Sequence, residues 1–165
     1  MRGIPILIFS FLLATPAWGQ GGGLTLTLSE GRPDFAANLS LLFSMSATEL
    51  SPTTYEIGAE PPADFLAIAA SLPYLAAIGE RMVTHDAGRT SARIMVFYRD
   101  GTTEELRRAL ESFLGLKPLK YLDGIKAYTY RAPATFPVAQ LIDFVRSRSF
   151  VRYAEEDRIL RAFGR

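Results

Sequence analysis

The sequence predicts an α+β protein. Short runs rich in β-branched and aromatic residues are interspersed with longer segments in which apolar residues recur every three or four positions, which is the pattern of strands combined with amphipathic helices. The composition is that of a globular protein, with 48% hydrophobic and 21% charged residues. The 165-residue chain has a net charge of +1 and no extended run of Lys and Arg, so we expect neither a nucleic acid nor an anionic membrane surface as its partner.

Residues 1–19 have the organisation of a secretory signal peptide. Arg2 gives a basic start, residues 4–14 are apolar, and Ala17 and Gly19 are small residues at the −3 and −1 positions of a cleavage site after Gly19. An uncleaved membrane anchor is the less favoured alternative, because a spanning helix needs about 20 apolar residues. We therefore expect a secreted or periplasmic protein that does not associate with the membrane after cleavage. The chain contains no cysteine, so its core must form without disulfides.

Residues 20–91 are predicted to be a small α+β region of unknown role that ends in a linker. Segment 62–82 is rich in Ala and has a helical period, so we expect a helix that is broken or kinked near Pro73. Residues 84–91 are polar and lack periodicity, which is typical of a linker. The remaining elements are expected to be strands at 24–30, 37–47 and 53–59, with a turn at 30–34.

Residues 92–165 are predicted to form a C-terminal domain that begins with a strand at 92–98. A helix is expected next, because Thr102 and Glu105 have the spacing of a capping box and Gly115 stands where the helix should stop. The apolar residues of this helix recur at helical spacing and form one stripe, which consists of Leu106, Ala109, Leu110, Phe113 and Leu114.

A hairpin, a second helix and a last strand complete this domain. Asp123-Gly124 is a strong hairpin signal between two strand-like segments. Thr135 is expected to cap the second helix, with Pro137 in its first turn. The apolar stripe of that helix consists of Val138, Leu141, Ile142 and Val145. With the last strand at 150–154, the order is β-α-β-β-α-β, which predicts a ferredoxin-like C-terminal domain preceded by the small α+β region.

Both faces of the predicted C-terminal sheet carry large side chains. One face must cover the two helices. The other is covered either by the N-terminal region or by a partner protein, since aromatic and Met side chains favour interfaces, and the pattern favours neither alternative. The candidate contacts for a partner on this sheet are Met95, Phe97, Tyr128 and Tyr130.

Three segments of the C-terminal domain resemble, in the same order, those of the inhibitor I9 family, the propeptide domain of subtilisin-like serine proteases. They read "RDGTTEEL", "YLDGIKAY" and "VRYAEEDRI", and the resemblance extends over about residues 92–160. The last segment is similar to the closing V-x-Y-V-E-x-D signature of the family, with Ala154 where Val is more usual. The resemblance implies a ferredoxin-like domain that lays its open sheet face against paired surface helices of the protease.

The resemblance also implies a role for the acids of the last segment. In the family these acids cap the N-termini of the protease helices, where unpaired N–H groups and a partial positive charge attract carboxylates. By position the capping pair is Glu155 and Asp157, since residues two apart on an extended chain face the same side, and Glu156 points away. The alternative for three adjacent carboxylates is a solvated turn.

The C-terminal tail is implied to enter the substrate cleft of the protease and to pair with its strands. Aligned on the signature, Leu160 falls at the P4 position and Phe163 at P1, with Arg161 and Ala162 between them. Residues 164–165 extend beyond the family pattern.

We therefore expect a secreted inhibitor, or a trans-acting propeptide and folding chaperone, of a subtilisin-like serine protease. A catalytic domain normally follows the propeptide in this family, whereas in this chain the tail is the last segment, so we expect action on a separate protease. The alternative is a ferredoxin-like interaction or structural module without inhibitory activity.

An enzyme is not expected. His85 is the single histidine and lies in the predicted linker without a second candidate base. A hydrolase of the acylphosphatase kind would need an Arg in an anion-binding loop after the first strand and an Asn placed for water. The loop at 99–103 has Arg99 but no Gly-rich cradle, and Asn38 is the single Asn. Neither a cofactor nor a metal ion is expected.

Overall fold

The computed structural model describes residues 23–58, 60–85 and 91–157. In these residues the chain forms two antiparallel sheets and four α-helices, which confirms the predicted α+β class. The signal peptide predicted at 1–19 lies outside the described residues.

The first sheet and two helices form the N-terminal unit. Its elements are β1 (Leu24–Leu28), α1 (Phe35–Phe43), β2 (Ala47–Ser51), β3 (Thr54–Ile57), α2 (Ala63–Ala69), β4 (Leu75–Ile78) and β5 (Arg81–Met82). The strand order is β2-β3-β1-β4-β5, and neighbouring strands are antiparallel. In β1, Leu26 and Leu28 are buried in the core and the intervening Thr27 is partly exposed, as expected of a sheet with one covered face.

Two expectations for this unit are wrong. The strand expected at 37–47 is mostly the helix α1, because Phe35 and Leu39 are buried four residues apart on one helical face. The segment 62–82 is interrupted near Pro73 as predicted, but only its first part is helical, as the short α2, and the chain continues after Pro73 as strand β4 instead of a second helical piece. Proline ends the helical stretch because its ring and missing N–H do not fit a helix interior.

The second sheet and the other two helices form the C-terminal unit. Its elements are β6 (Arg93–Tyr98), α3 (Glu104–Leu114), β7 (Lys117–Leu122), a short 3-10 helix (Asp123–Ile125), β8 (Ala127–Arg131), α4 (Val138–Arg146) and β9 (Val151–Glu156). The strand order is β7-β8-β6-β9, again with antiparallel neighbours.

The N-terminal end of helix α3 differs by one residue from the prediction. The N-cap is Thr103, whose hydroxyl accepts a hydrogen bond from the Leu106 amide at 3.3 Å. The hydroxyl of Thr102 instead donates to the Phe150 carbonyl at 3.0 Å, which ties the loop to the segment after α4. Gly115 ends the helix as predicted, with a φ of 65° that favours glycine.

The hairpin and the second helix differ from the prediction in their local turns. The hairpin is present, but Asp123 and Gly124 lie in the 3-10 helix and Lys126, with φ 50°, completes a longer loop. The N-cap position of α4 is Pro137, and no side chain caps this end. Thr135 therefore does not have the capping role expected of it.

The two units have the same connectivity. Each runs β-α-β-β-α-β, and the first four strands of the N-terminal unit have the order β2-β3-β1-β4, which corresponds strand by strand to β7-β8-β6-β9. Helix α1 packs against α3, and α2 packs against α4. The helices thus lie between the two sheets, and both units share one continuous hydrophobic core.

Aromatic side chains from both units fill the space between the helices. The ring of Phe43 lies 5.2 Å from that of Phe113 on α3 and 5.8 Å from that of Phe144 on α4, measured between centroids. Phe35 and Phe65 extend the cluster on the N-terminal side. Because these side chains come from four helices, neither unit has a complete core alone.

Polar contacts join the units at two places. Near the end of α3, Arg32 donates to the Ser112 carbonyl at 3.0 Å, and the Ser112 hydroxyl donates to the Asp34 carboxylate. After α4, the buried Arg148 forms an ion pair with Asp64 of α2.

Candidate protein-binding surface

The candidate site is the side of the C-terminal sheet that faces away from α3 and α4. Directly paired residues of an antiparallel sheet share a face, and Met95 pairs with Thr129 on β8 and Glu155 on β9. Ile94 and Val96, which alternate with Met95, are fully buried in the core. We call the opposite side the C-terminal outer face. Its residues on β6, β8 and β9 include Met95, Phe97, Ala127, Thr129, Tyr153 and Glu155, of which Ala127 and Thr129 are buried.

The prediction that Tyr128 and Tyr130 lie on this face is wrong. In the observed register Tyr128 pairs with Val96 and Tyr130 with Ile94, so both tyrosines point to the helices. Glu111 of α3 accepts a hydrogen bond from the Tyr130 hydroxyl at 2.8 Å. Of the four predicted sheet contacts, only Met95 and Phe97 therefore lie on the outer face.

The tyrosines on the inner side form a buried polar cluster. The hydroxyl groups of Tyr98 and Tyr130 are 3.0 Å apart, and the guanidinium of Arg107 lies 4.8 Å from the centre of the Tyr128 ring. Burial raises the pKa of Tyr130 and of Tyr98, since the phenolate is poorly solvated there. Both hydroxyls stay protonated near neutral pH, so they act as fixed hydrogen-bonding groups that orient α3 on the sheet.

The N-terminal unit does not cover the outer face. Helices α1 and α2 contact α3 and α4, which lie on the other side of the C-terminal sheet. For residues 23–58 and 60–85, this rules out the alternative that the N-terminal region packs on the second face of the sheet.

Aromatic and cationic side chains meet at one end of the outer face. The rings of Phe97 and Tyr153 are 5.9 Å apart, and Tyr153 remains 43% exposed. The guanidinium of Arg152 lies 5.8 Å from the Phe97 ring, and that of Arg146 lies 5.0 Å from the Tyr153 ring. This end therefore presents partly exposed aromatic area bordered by positive charge, a composition enriched at protein interfaces.

Arg146 also protects the edge of the sheet. Strand β9 is an edge strand, and the Arg146 Nε donates to the Ala154 carbonyl at 2.7 Å. An occupied carbonyl is less available for pairing with another chain along this edge. The face of the sheet, rather than the β9 edge at Ala154, is thus the more accessible surface.

The predicted acids lie in and directly after β9. Strand β9 extends through Glu156, so Glu155 is part of the strand rather than of a following turn. Glu155 pairs with Met95, and its carboxylate accepts a hydrogen bond from Tyr153 at 3.3 Å. Among the described residues no cation forms an ion pair with Glu155.

Asp157 has an internal partner. Its amide donates to the Arg93 carbonyl at 2.8 Å, which prolongs the pairing with β6. Its carboxylate lies 2.6 Å from the Arg93 guanidinium, and only 15% of the Asp157 side chain is exposed. The two acids therefore differ in availability, because Asp157 is held by a cation of the described chain and Glu155 is not.

The predicted tail residues Leu160, Arg161, Ala162 and Phe163 lie outside the described residues. Within the described part of the chain, no helix is long and apolar enough to cross a membrane, and no group of three or more His, Asp or Glu side chains could hold a metal ion. The side chain of Asn38 is buried in α1, where it donates to Asp34 at 3.0 Å.

Tyr153 and Arg152 belong to the surface but were not among the predicted contacts. Tyr153 lies two residues before Glu155, so an extended strand places both on the same side, and this signal was present in the sequence. Arg152 reaches the face because the pairing of β6 and β9 shifts register between Phe97 and Tyr98, a bulge that no pattern in either strand indicates.

Comparisons of the chain with protein-family models, curated proteins and solved structures found no match.

Proposed function

We propose that this protein is an inhibitor, or a trans-acting propeptide, of a subtilisin-like serine protease, and that it binds the protease through the C-terminal outer face. The observation that carries the proposal is a difference between the two units. They share one connectivity, but the corresponding strands β1 and β6 differ on their outward side, where β1 carries Thr25 and Thr27 and β6 carries Met95 and Phe97.

The corresponding face of the N-terminal sheet is polar on strands β1, β2 and β3. Leu26 and Leu28 of β1 are buried in the core, so the residues that alternate with them, and their cross-strand partners, point outward. We call this side the N-terminal outer face. Its residues on β1, β2 and β3 include Thr25, Thr27, Thr48, Thr54 and Glu56, and at its β4–β5 side lie the buried Ala77 and the exposed Met82.

This contrast separates the needs of the fold from those of binding. A sheet of the same connectivity tolerates Thr and Glu on its solvent side, as most antiparallel sheets do. Met95, Phe97 and Tyr153 are therefore not required at these positions by the connectivity. Partly exposed Met and aromatic residues on one face are a recurring sign of a protein-binding surface.

The assignment of a ferredoxin-like fold to the C-terminal unit belongs to the same proposal. Its support is the element order β-α-β-β-α-β together with the antiparallel strand order β7-β8-β6-β9. The unit occupies residues 93–156, which nearly coincide with the segment that resembles the inhibitor I9 family.

In the proposed complex the outer face lies against two surface helices of the protease. Glu155 borders that face beside Met95, and its carboxylate is in position to accept hydrogen bonds from the first amides of a protease helix. We assign Glu155 the main capping role, because the carboxylate of Asp157 is already held by Arg93. The chain beyond β9 then supplies the residues for the cleft, with Leu160 at P4 and Phe163 at P1.

An inhibition assay with purified subtilisin-like proteases tests the proposal. The mature protein is expected to inhibit, and deletion of residues 158–165 is expected to abolish inhibition. Replacing Met95 and Phe97 together by Ser should weaken binding by about 30-fold or more, the effect of losing a central apolar anchor. The matched control replaces Thr25 and Thr27 by Ser on the N-terminal outer face and should leave inhibition unchanged. Full protease activity at micromolar protein would contradict the proposal.

The ion pair of Asp157 favours the second candidate, an interaction module without inhibitory activity. If the pair with Arg93 persists in every complex, one of the two predicted caps has only a structural role. This candidate predicts that Glu155→Gln and Asp157→Asn leave protease activity and protease binding unaffected, which the same assay measures.

A further inference from the structure

Cations border the apolar part of the C-terminal outer face along strands β7 and β8. Lys117 pairs with Arg131, and Lys120 pairs with Thr129, so these cations share the face with Met95. All of them are exposed. We call the set the basic rim; it consists of Lys117, Lys120 and Arg131.

The charge of the basic rim is not neutralised within the described part of the chain. No carboxylate there forms an ion pair with Lys117, Lys120 or Arg131. Other exposed arginines of the same unit do have acidic partners; Arg108, for example, pairs with Glu104.

The rim is a local feature. The whole chain has 18 Lys and Arg against 17 Asp and Glu, so it is nearly neutral. A cluster of cations on one face therefore gives that face a positive electrostatic potential that the chain as a whole does not have. The opposite, β9 side of the same face carries Arg152 at the start of the strand, and Glu155 and the paired Asp157 at its end. The outer face is therefore polarised, with positive charge along β7 and β8 and negative charge at the end of β9.

We propose that the protease recognised by this protein carries a cluster of carboxylates beside its apolar contact patch, placed to face the basic rim. This inference rests on the proposed function and specifies the kind of partner. The polarity of the face orients the complex: the acidic cluster meets the β7–β8 side while the helix N-terminus meets Glu155. Complementary charges of this kind steer association and exclude partners whose facing surface is positive.

A protein partner is favoured over a nucleic acid by the centre of the face. Met95 and Phe97 lie on the inner strand β6, Tyr153 extends the apolar area beside Phe97 on the edge strand β9, and Glu155 lies at the border beside Met95. A polyanionic backbone would gain from cations distributed along a continuous track, and a carboxylate beside that track would repel it.

The association rate constant for inhibition is the measurement that tests the rim. Steering by exposed charges acts on association and is screened by salt, because the Debye length falls from about 10 Å at 0.1 M to about 3 Å at 1 M ionic strength. We expect Lys120→Gln combined with Arg131→Gln to slow association about tenfold at low salt and to remove most of its salt dependence. The dissociation rate should change little. The probes are purified subtilisin-like proteases of acidic and of basic surface charge, and the acidic ones should associate faster.

The matched control removes the same charge elsewhere. Arg81 lies on the edge strand β5 and Arg108 on α3, both exposed and outside the outer face, so Arg81→Gln combined with Arg108→Gln should leave the association rate unchanged. Thermal unfolding of each variant verifies that the fold is retained.

The outcomes separate this inference from the proposed function. If the unmodified protein inhibits no protease at any salt concentration, the proposed function fails and the inference fails with it. If it inhibits, but the rim variant and the control variant associate equally fast, the rim inference is overturned and the proposed function stands. A DNA oligonucleotide that binds the full chain, with binding lost in the rim variant and protease association unchanged, would also overturn it and would assign the rim to nucleic acid.

Discussion

Replacing Arg148 by Ala is predicted to weaken the junction between the two units. Arg148 is 9% exposed and follows α4. Its guanidinium pairs with Asp64 and donates to the Leu42 carbonyl at 3.2 Å. It also lies 5.1 Å from the Phe43 ring and 4.5 Å from the Phe144 ring. One side chain thus holds α1, α2 and α4 together.

The expected loss follows from these contacts. Removing one member of a buried ion pair costs about 3–5 kcal/mol, but the Asp64 side chain is 41% exposed and water can solvate it after the change. The hydrogen bond to the Leu42 carbonyl contributes about 1.5–3 kcal/mol as a charged bond, and the contacts with the two rings contribute about 1 kcal/mol. We therefore expect a loss of about 3 kcal/mol in the free energy of unfolding. The melting temperature should fall by about 6–12 °C.

Urea denaturation followed by circular dichroism measures this loss. The control is Arg108→Ala on α3, because that side chain is 71% exposed in a surface ion pair with Glu104, and its removal should cost about 1 kcal/mol or less. The unmodified protein should unfold in one transition, since both units share a core. A loss for Arg148→Ala no larger than that of the control, or separate transitions for the two units in the unmodified protein, would refute the idea of a shared core joined at Arg148.

Three further predictions concern single residues. Gly115→Ala should cost about 1–2 kcal/mol in urea denaturation, because the φ of Gly115 is 65° and the added Cβ would lie 3.2 Å from the side chain of Pro73. The control Gly124→Ala adds a Cβ that has no atom within 4 Å, so it should be nearly neutral. Thr103→Ala should cost about 1 kcal/mol in the same assay, since it removes the N-cap of α3. For Asp34, burial alone would raise the pKa, but hydrogen bonds, that from Ser112 foremost, outweigh it and hold the pKa below 3.8. Asp34 therefore stabilises the fold above pH 3.8 and loses this effect as the pH falls through the folded pKa. When unfolding is measured from pH 7 to pH 2, the loss in free energy of unfolding caused by Asp34→Asn should decline at the acid end.

The elements of the C-terminal unit were largely predictable because their signals are local. The apolar stripe of α3 and the glycine that ends it are encoded within a dozen or so residues, and Ala109, Leu110, Phe113 and Leu114 are all buried as the spacing indicates. Only the capping residue was wrong, by one position. Thr102 and Thr103 are adjacent hydroxyl residues, and the choice between them depends on the distant Phe150 carbonyl that Thr102 binds.

Helix α1 shows why a local pattern can mislead. Leu39, Leu41, Phe43 and Met45 fall at every second position, which imitates a strand, while Phe35, Leu39 and Leu42 recur at helical spacing. The helical set is buried and Leu41 is 40% exposed. Packing against α3 decides which of the two patterns forms. That packing involves residues distant in the chain, so it cannot be predicted from residues 35–43 alone.

Which residues form the outer face could not be predicted from the sequence for a related reason. Alternation within β8 separates Tyr128 and Tyr130 from Thr129, but it does not tell which set joins Met95. That choice is made by the register between β6 and β8, which are more than 25 residues apart in the chain, and a slip of one residue would exchange the two sets.

The packing of the two units explains how the N-terminal unit stabilises the C-terminal unit. A single unit of this size, without disulfides, has a marginal core because small domains bury too little of their surface. Packing α1 and α2 on α3 and α4 covers the backs of the helices and adds Phe35, Phe43 and Phe65 to the core. Had the N-terminal unit covered the outer face instead, the same gain in stability would have buried the proposed binding surface. Packing helix against helix stabilises the C-terminal unit from the helix side of its sheet, and it leaves Met95, Phe97 and the basic rim uncovered by the N-terminal unit.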